Sequence, residues 1–305
     1  MAKVTNAKKK RKSQASVAMV YFITLVIVLV VVGGIAMLIM TRLVLDDDTT
    51  TTVSEEDTTP TSQDNTTSLY MLVSDSGELE MSVVARVLPS SKEIILLPIS
   101  EKTLIESGSQ TLESIYSSTG SQGVLTEIET LLGTEMDNYI VLDHDNFENT
   151  IDYLSSISYT ITEDMYYIDE NSDDIVNYAE GDELTLFGSE LRPLITYPLY
   201  EDGASENVRV CGELLTEVIN QAFDTTLSVQ NLGSTYSSML KNSDDKDFLL
   251  SDYEDSIYDN IQYIIDNANE PASYITATGT WSDDDSTFTV DETFKEQLVS
   301  IFELE

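Results

Sequence analysis

The chain has 305 residues, with 55 Asp and Glu against 15 Lys and Arg, a formal net charge of −40. That balance excludes a nucleic-acid partner for the acidic part, because phosphate recognition needs Lys and Arg. One cysteine excludes an intramolecular disulfide, and one histidine excludes a zinc site built from several histidines.

Residues 1–16 hold a basic block of Lys3, Lys8, Lys9, Lys10, Arg11 and Lys12. The run Val17 to Met40 carries no charge and is 24 residues long. A hydrocarbon core of about 30 Å needs roughly 20 helical residues, so 17–40 is expected to be one transmembrane helix. It is too long for a signal-peptide core, and no small-x-small cleavage site follows. Lys and Arg cluster before it, which places the N-terminus in the cytoplasm and the main domain outside. All 55 Asp and Glu follow Leu45, against eight Lys and Arg, so the outward part carries −47. Such a field repels anionic surfaces and favours cations or cationic partners.

Residues 41–67 are expected to be a disordered spacer, since Asp46 to Thr67 is almost all Thr, Asp, Glu and Ser. Residues 68–305 then form the extracytoplasmic domain, with 226–305 either packed on it or set apart as a subregion. Strands are predicted at Ser68 to Asp75, Leu79 to Leu88, Glu93 to Ile99 and Asn138 to Leu142. Helices are predicted at Leu112 to Tyr116 and at Gly123 to Leu132, where Val124, Ile128, Leu131 and Leu132 share a face and Gly133 is a stop. Asn146 to Leu154 follows as a short helix, and Ser158 to Tyr167 as a strand. Pro193 and Pro198 argue against an uninterrupted helix over 184–199. Asn207 to Phe223 and Thr293 to Phe302 read as amphipathic helices, with late strands at Ser273 to Trp281 and Ser286 to Val290. Intermingled strands and helices give an α/β fold with a mixed sheet flanked by helices.

No Walker loop, G-x-G-x-x-G or G-x-S-x-G motif is present. His144, between Asp143 and Asp145, reads as a surface-loop residue. Cys211 reads as a small core residue. Asp75 and Glu80 flank the junction of the first two strands, and their oxygens suit magnesium or calcium, with a solvated acidic loop as the competing reading. The acidic stretch 169–174 lacks the register of an EF-hand. The 16 tyrosines are spread along the chain.

With these elements in place, residues 68 to 225 resemble the LytR–CpsA–Psr family of bacterial envelope proteins. The stretch LESIYSSTGSQGVLTEIETLLGTEMDNYIVLDHDNF, from Leu112, fits the family's helix–helix–strand region. Asp75 falls where the family's first strand ends in an Asp. The family's R-x-D-T corresponds to Glu78-Leu79-Glu80-Met81. Its S-I-P-R-D-T region corresponds to Pro98-Ile99-Ser100-Glu101-Lys102-Thr103, and D-x-x-R-x-x-R-Q to the segment Glu206 to Glu213, which keeps Arg209. Thr196 falls where another arginine is expected. The resemblance implies transfer of glycopolymers from polyprenyl-pyrophosphate carriers to the cell wall, with magnesium and several arginines gripping the pyrophosphate. Carried over residue by residue, it makes Asp75 and Glu80 the magnesium candidates and Arg209 and Lys102 the phosphate contacts. Arg86 alternates with its neighbours and is expected to face solvent. Glu101 in place of an arginine puts repulsion where a pyrophosphate needs attraction.

Three readings follow. In the first, a noncatalytic relative binds a wall glycopolymer or an envelope protein. In the second, a magnesium-dependent transferase survives. In the third, the chain is an unrelated acidic adhesion or sensory ectodomain.

Overall fold

A computed structural model of the chain describes residues 59–105, 108–154, 156–168, 175–223 and 257–303, together with 237, 239, 241, 243 and 245–247. The predicted basic tail, the membrane span 17–40 and the acidic stretch 169–174 lie outside those residues. Among the described residues no helix is long and apolar enough to cross a membrane. A 3-10 turn, Ser62–Asp64, lies within the segment read as a spacer. Its polar residues satisfy the turn locally: Gln63 N–H donates to Thr61 Oγ1, and Thr61 N–H donates to Asp64 Oδ2 at 2.7 Å.

In chain order the elements are β1 (Thr66–Val73), β2 (Leu79–Leu88), β3 (Glu93–Ser100), α1 (Leu112–Thr119), α2 (Ser121–Leu132), β4 (Asn138–Leu142), α3 (His144–Leu154) and β5 (Ile157–Thr160). Then come β6 (Met165–Ile168), β7 (Ile175–Tyr178), β8 (Glu183–Leu186), α4 (Gly188–Ile195), α5 (Ala204–Phe223) and α6 (Tyr258–Asn267). The last are β9 (Ala272–Tyr274), β10 (Gly279–Trp281), β11 (Phe288–Val290) and α7 (Glu292–Ile301). The central sheet has the order β4-β1-β2-β3-β9. β1 pairs antiparallel with β2 and β2 with β3, while β4 joins β1 and β9 joins β3 in parallel. The sheet is therefore mixed, as the α/β reading expects.

Both faces of this sheet are covered, so its strands read as nearly continuous apolar runs. One face carries Met81, Val83, Leu96 and Ile140 and packs against α3, α4, α5 and α6. The other carries Leu69, Met71, Val84 and Leu97 and packs against α1, α2 and α7. The period of two along each strand sends alternate residues to the two layers. Gly133, at φ 69°, closes α2 in the left-handed conformation that a side chain would disfavour.

In the described part of 226–305, β9 extends the central sheet and Phe294 and Leu298 of α7 enter its core. Two details differ from the sequence expectation. Ser158 to Tyr167 is not one strand: β5 pairs with β8 and β6 with β7, forming two separate ribbons. Arg86 does not face solvent. It is buried on the α7 side, where its Nε donates to the Phe302 carbonyl at 3.0 Å and its Nη1 to Thr67 Oγ1 at 2.5 Å. Burial lowers its pKa, against the opposing charges of Asp137 and Glu303.

Candidate functional site

The chain ends of β1, β3 and β4 and the start of β2 meet at one end of the sheet, as the register Met81↔Ser100 and Leu72↔Leu142 requires. Loops at the carboxyl ends of strands in open α/β sheets are where ligands are commonly bound. Here the end is crowded with ionisable groups. Asp143 ends β4 and caps α3, its Oδ1 accepting from Asn146 N–H at 2.8 Å. That cap fixes His144 at the first helical position, beneath the turn between β1 and β2.

His144 is thus not a surface-loop residue: it is buried, and its ring lies between the two predicted carboxylates. Glu80 Oε2 is 2.8 Å from Nε2, and Asp75 Oδ1 is 3.7 Å from Nδ1. The Asp75 side chain is 69% exposed and that of Glu80 24%, so Glu80 is the stronger partner. Burial alone would lower the imidazole pKa. The hydrogen bond and charge of Glu80 outweigh it, and the net shift is upward, with Arg192 opposing and Asp75 assisting. The structure therefore brings Asp75 and Glu80 to one group, yet on different ring nitrogens. A hard cation drawn from both would have to displace His144 from Glu80. Among the described residues, no cluster of three or more His, Cys, Asp or Glu side chains is arranged to hold a metal ion.

One helical turn beyond His144, Glu148 accepts from buried Arg192 Nε of α4 at 2.6 Å. Arg209, one turn into α5, is held in the same way. Its Nε and Nη2 donate to Glu206 at 2.9 and 2.6 Å, and its Nη1 to Glu213 Oε2 at 2.7 Å. The spacings i−3 and i+4 place both carboxylates on the arginine's own face of the helix. The hydrogen bonds it donates to Glu206, the largest cause, raise the guanidinium pKa further. Lys102 sits on the turn after β3, where its N–H donates to Ser100 Oγ at 3.1 Å and its carbonyl accepts from Phe288 N–H at 3.0 Å. The preceding Glu101 is raised above the ordinary carboxylate range, chiefly by burial.

Two hollows are notable among the described residues, the first beneath the length of the sheet and the second at this end of it. The first, of about 200 Å³, lies between the sheet and helices α3, α5 and α6. Met81, Val83, Phe147, Ile151, Cys211 and Val218 are among its lining residues, and Thr150 is one of the few that are polar. Cys211 is the core residue expected, and burial pushes its thiol pKa up to about 12. The second, of about 430 Å³, is a polar cleft at the end of β3, lined by Ser100, Thr103, Asp202, Glu206, Arg209 and Trp281 among others. Its rim is negative: burial, and then the charges of Glu201, Glu206 and Asp202, raise the pKa of nearby Glu163.

Of the residues singled out in the sequence, Asp75 and Glu80 both lie against His144, while Arg209 and Lys102 lie on α5 and on the turn after β3. The overlooked signal at His144 was an Asp directly after a strand, three residues before an Asn in a helix: a cap, rather than a loop.

The sequence model of the LytR_cpsA_psr family matches residues 74–197. No curated protein matches the chain. Several solved structures share the fold. A Eubacterium siraeum protein described as a candidate transcription regulator superposes with a TM-score of 0.72 at 16% identity, covering 85% of this chain and 100% of its own. TagV of B. subtilis gives 0.62 at 16% identity, over 78% of this chain and 96% of its own. TagT, solved bound to LI-WTA, gives 0.59 at 14% identity, over 79% and 90%. At such identities the structural likenesses speak for the fold.

Proposed function

Because this chain belongs to the LytR–CpsA–Psr family, associated with cell-envelope glycopolymers, we propose that it is a noncatalytic member that binds an envelope component and helps to assemble the wall. Residues 17–40 would anchor it, with the acidic domain displayed outside the membrane. The observation that carries the reading is charge matching: Arg209 is held by Glu206 and Glu213, Arg192 by Glu148 and His144 by Glu80. A pyrophosphate entering this end of the sheet would have to compete with carboxylates already in bonding geometry. It would also approach Glu101, where the family places an arginine. Such charge-assisted pairs are about twice as strong as neutral hydrogen bonds, and breaking one leaves an uncompensated charge.

The apolar hollow supports binding without transfer. An alkyl or prenyl chain placed there gains about 0.8 kcal/mol per buried CH₂ and needs no charged group. TagT, with the same fold, has been solved bound to LI-WTA. A lipid-carried glycopolymer is accordingly the class of ligand we assign to this chain.

Magnesium is the cofactor the family implies. Asp75 and Glu80 are the residues that would hold it, and the His144 contact to Glu80 opposes that use. The test is calorimetric titration of the full chain in lipid nanodiscs with a polyprenyl-pyrophosphate analogue, with and without magnesium. Binding that does not depend on magnesium, and is unchanged in Arg209→Ala, is expected. Magnesium-dependent binding lost in Arg209→Ala would establish the transferase reading instead.

A further inference from the structure

We propose that the outer face of the β6–β7 ribbon is a docking surface for a basic segment of a partner protein, one that carries aliphatic side chains between its Lys and Arg residues. None of the residues that form this face is among those lining the two hollows, and the proposal goes beyond the binding of a glycopolymer.

Successive side chains of a strand point to opposite faces, so a ribbon can bury one face and leave the other outside. The register Met165↔Tyr178, Tyr166↔Asn177, Tyr167↔Val176 and Ile168↔Ile175 divides the two strands in this way. Met165 and Val176 lie in the core, and Tyr167 and Tyr178 pack against it. Tyr166, Ile168, Ile175 and Asn177 take the other face. An outward face ordinarily carries polar residues. Here three of the four are large and apolar: Tyr166 is 64% exposed, Ile168 49% and Ile175 65%. Ile168 and Ile175 are direct cross-strand partners, so their side chains stand together rather than singly.

The face is also held in place. Tyr166 N–H donates to the Tyr197 hydroxyl at 3.0 Å, and the Tyr167 and Tyr197 rings meet edge to face with centroids 6.3 Å apart. A surface already ordered loses little freedom when it is covered.

Charge selects the occupant. Asp164 directly precedes β6, while Glu180, Asp182 and Glu183 follow Tyr178, and all four are exposed. Asp164 Oδ1 accepts from Glu180 N–H at 2.9 Å, which brings the two flanks of the ribbon side by side. From Thr103 to Leu191 the sequence has no Lys or Arg to offset these carboxylates. The result is an apolar centre with an acidic margin, the usual layout of an interface with a charged rim. A second copy of this chain would bring the same carboxylates and be repelled, as would an anionic surface. A neutral apolar ligand would leave the margin unused. A segment alternating basic and aliphatic residues answers both features. Its aliphatic side chains cover Ile168 and Ile175, its cations meet the carboxylates, and one cation can lie over the Tyr166 ring.

The full chain in nanodiscs of zwitterionic lipid is titrated by calorimetry with an octapeptide alternating Lys and Val. Octapeptides alternating Lys and Ser, and Glu and Val, serve as controls. Saturable binding of the Lys–Val peptide is expected, with the Lys–Ser peptide at least about tenfold weaker and the Glu–Val peptide not binding. Ile168→Thr/Ile175→Thr keeps strand propensity and should weaken the Lys–Val peptide about tenfold without lowering the melting temperature, because both side chains are exposed. Glu180→Gln/Glu183→Gln should weaken it several-fold and flatten its salt dependence. Hydrogen exchange should show the peptide protecting β6 and β7. No binding of the Lys–Val peptide, equal binding of the Lys–Ser peptide, or protection elsewhere on the chain overturns the proposal. So does sedimentation in which the wild type dimerises and the isoleucine variant does not, since a second copy then covers the face. Each of these outcomes leaves the noncatalytic reading standing, because that reading is tested by pyrophosphate.

Discussion

Arg209 and His144 both stand near this end of the sheet, and each is already engaged by carboxylates from its own fold. For Arg209 the partners are fixed by helical spacing, so they come with the helix itself. For His144 the partner comes from β2, through the tertiary fold, and the pair is pH-sensitive. The imidazole pKa is raised on folding because the Glu80 hydrogen bond and charge outweigh the lowering effect of burial. A raised pKa contributes stability that is complete below the unfolded value, 6.5, and is lost as pH rises through the folded value. Thermal denaturation of wild type and Glu80→Gln should therefore show the widest gap below pH 6.5, narrowing as the pH rises through the folded value. A gap that widens with rising pH would mean that His144 is neutral in the folded protein and that Glu80 acts otherwise.

At the scale of elements, the C-terminal segment is held to the sheet through a buried arginine. Arg86 reaches across to the Phe302 carbonyl just past α7 and to Thr67 on β1. Arg86→Met keeps much of the stem but leaves both acceptors unpaired. A loss of about 2–3 kcal/mol is expected in urea denaturation, from two hydrogen bonds of a charged donor. Hydrogen exchange should show α7 losing protection first; uniform loss over the sheet would argue against a local clamp. Arg86 also shows where sequence reading stops. The apolar runs of β2, β3 and β4 and the stop at Gly133 were legible because period and turn chemistry are local. Whether a charged residue on such a strand faces solvent or a partner depends on what covers that face. Here the cover is α7, more than two hundred residues away along the chain. The same limit hid Trp281, whose neighbours Thr103 and Glu206 lie on distant segments. The carboxylates were found as residue types, while their convergence on His144 required the β1–β2 turn and the α3 cap together.

For the molecule as a whole, the formal charge of −40 bears on stability. Like charges on the folded domain repel, and the repulsion is screened as the Debye length falls from about 30 Å at 0.01 M salt to about 8 Å at 0.15 M. The melting temperature should rise by several degrees over that range; a fall would show that attractive pairs such as Arg192–Glu148 dominate. Among the described residues, Arg86, Arg192 and Arg209 each already have a carboxylate or carbonyl partner. The most direct measurement is pyrophosphate affinity in Glu206→Gln/Glu213→Gln compared with wild type, by calorimetry on the full chain. If neutralised arginine is what silences the site, the double variant should bind on the order of tenfold more tightly, through a freed guanidinium. If wild type already binds as tightly as the double variant, the carboxylates do not silence Arg209, and the noncatalytic reading is contradicted.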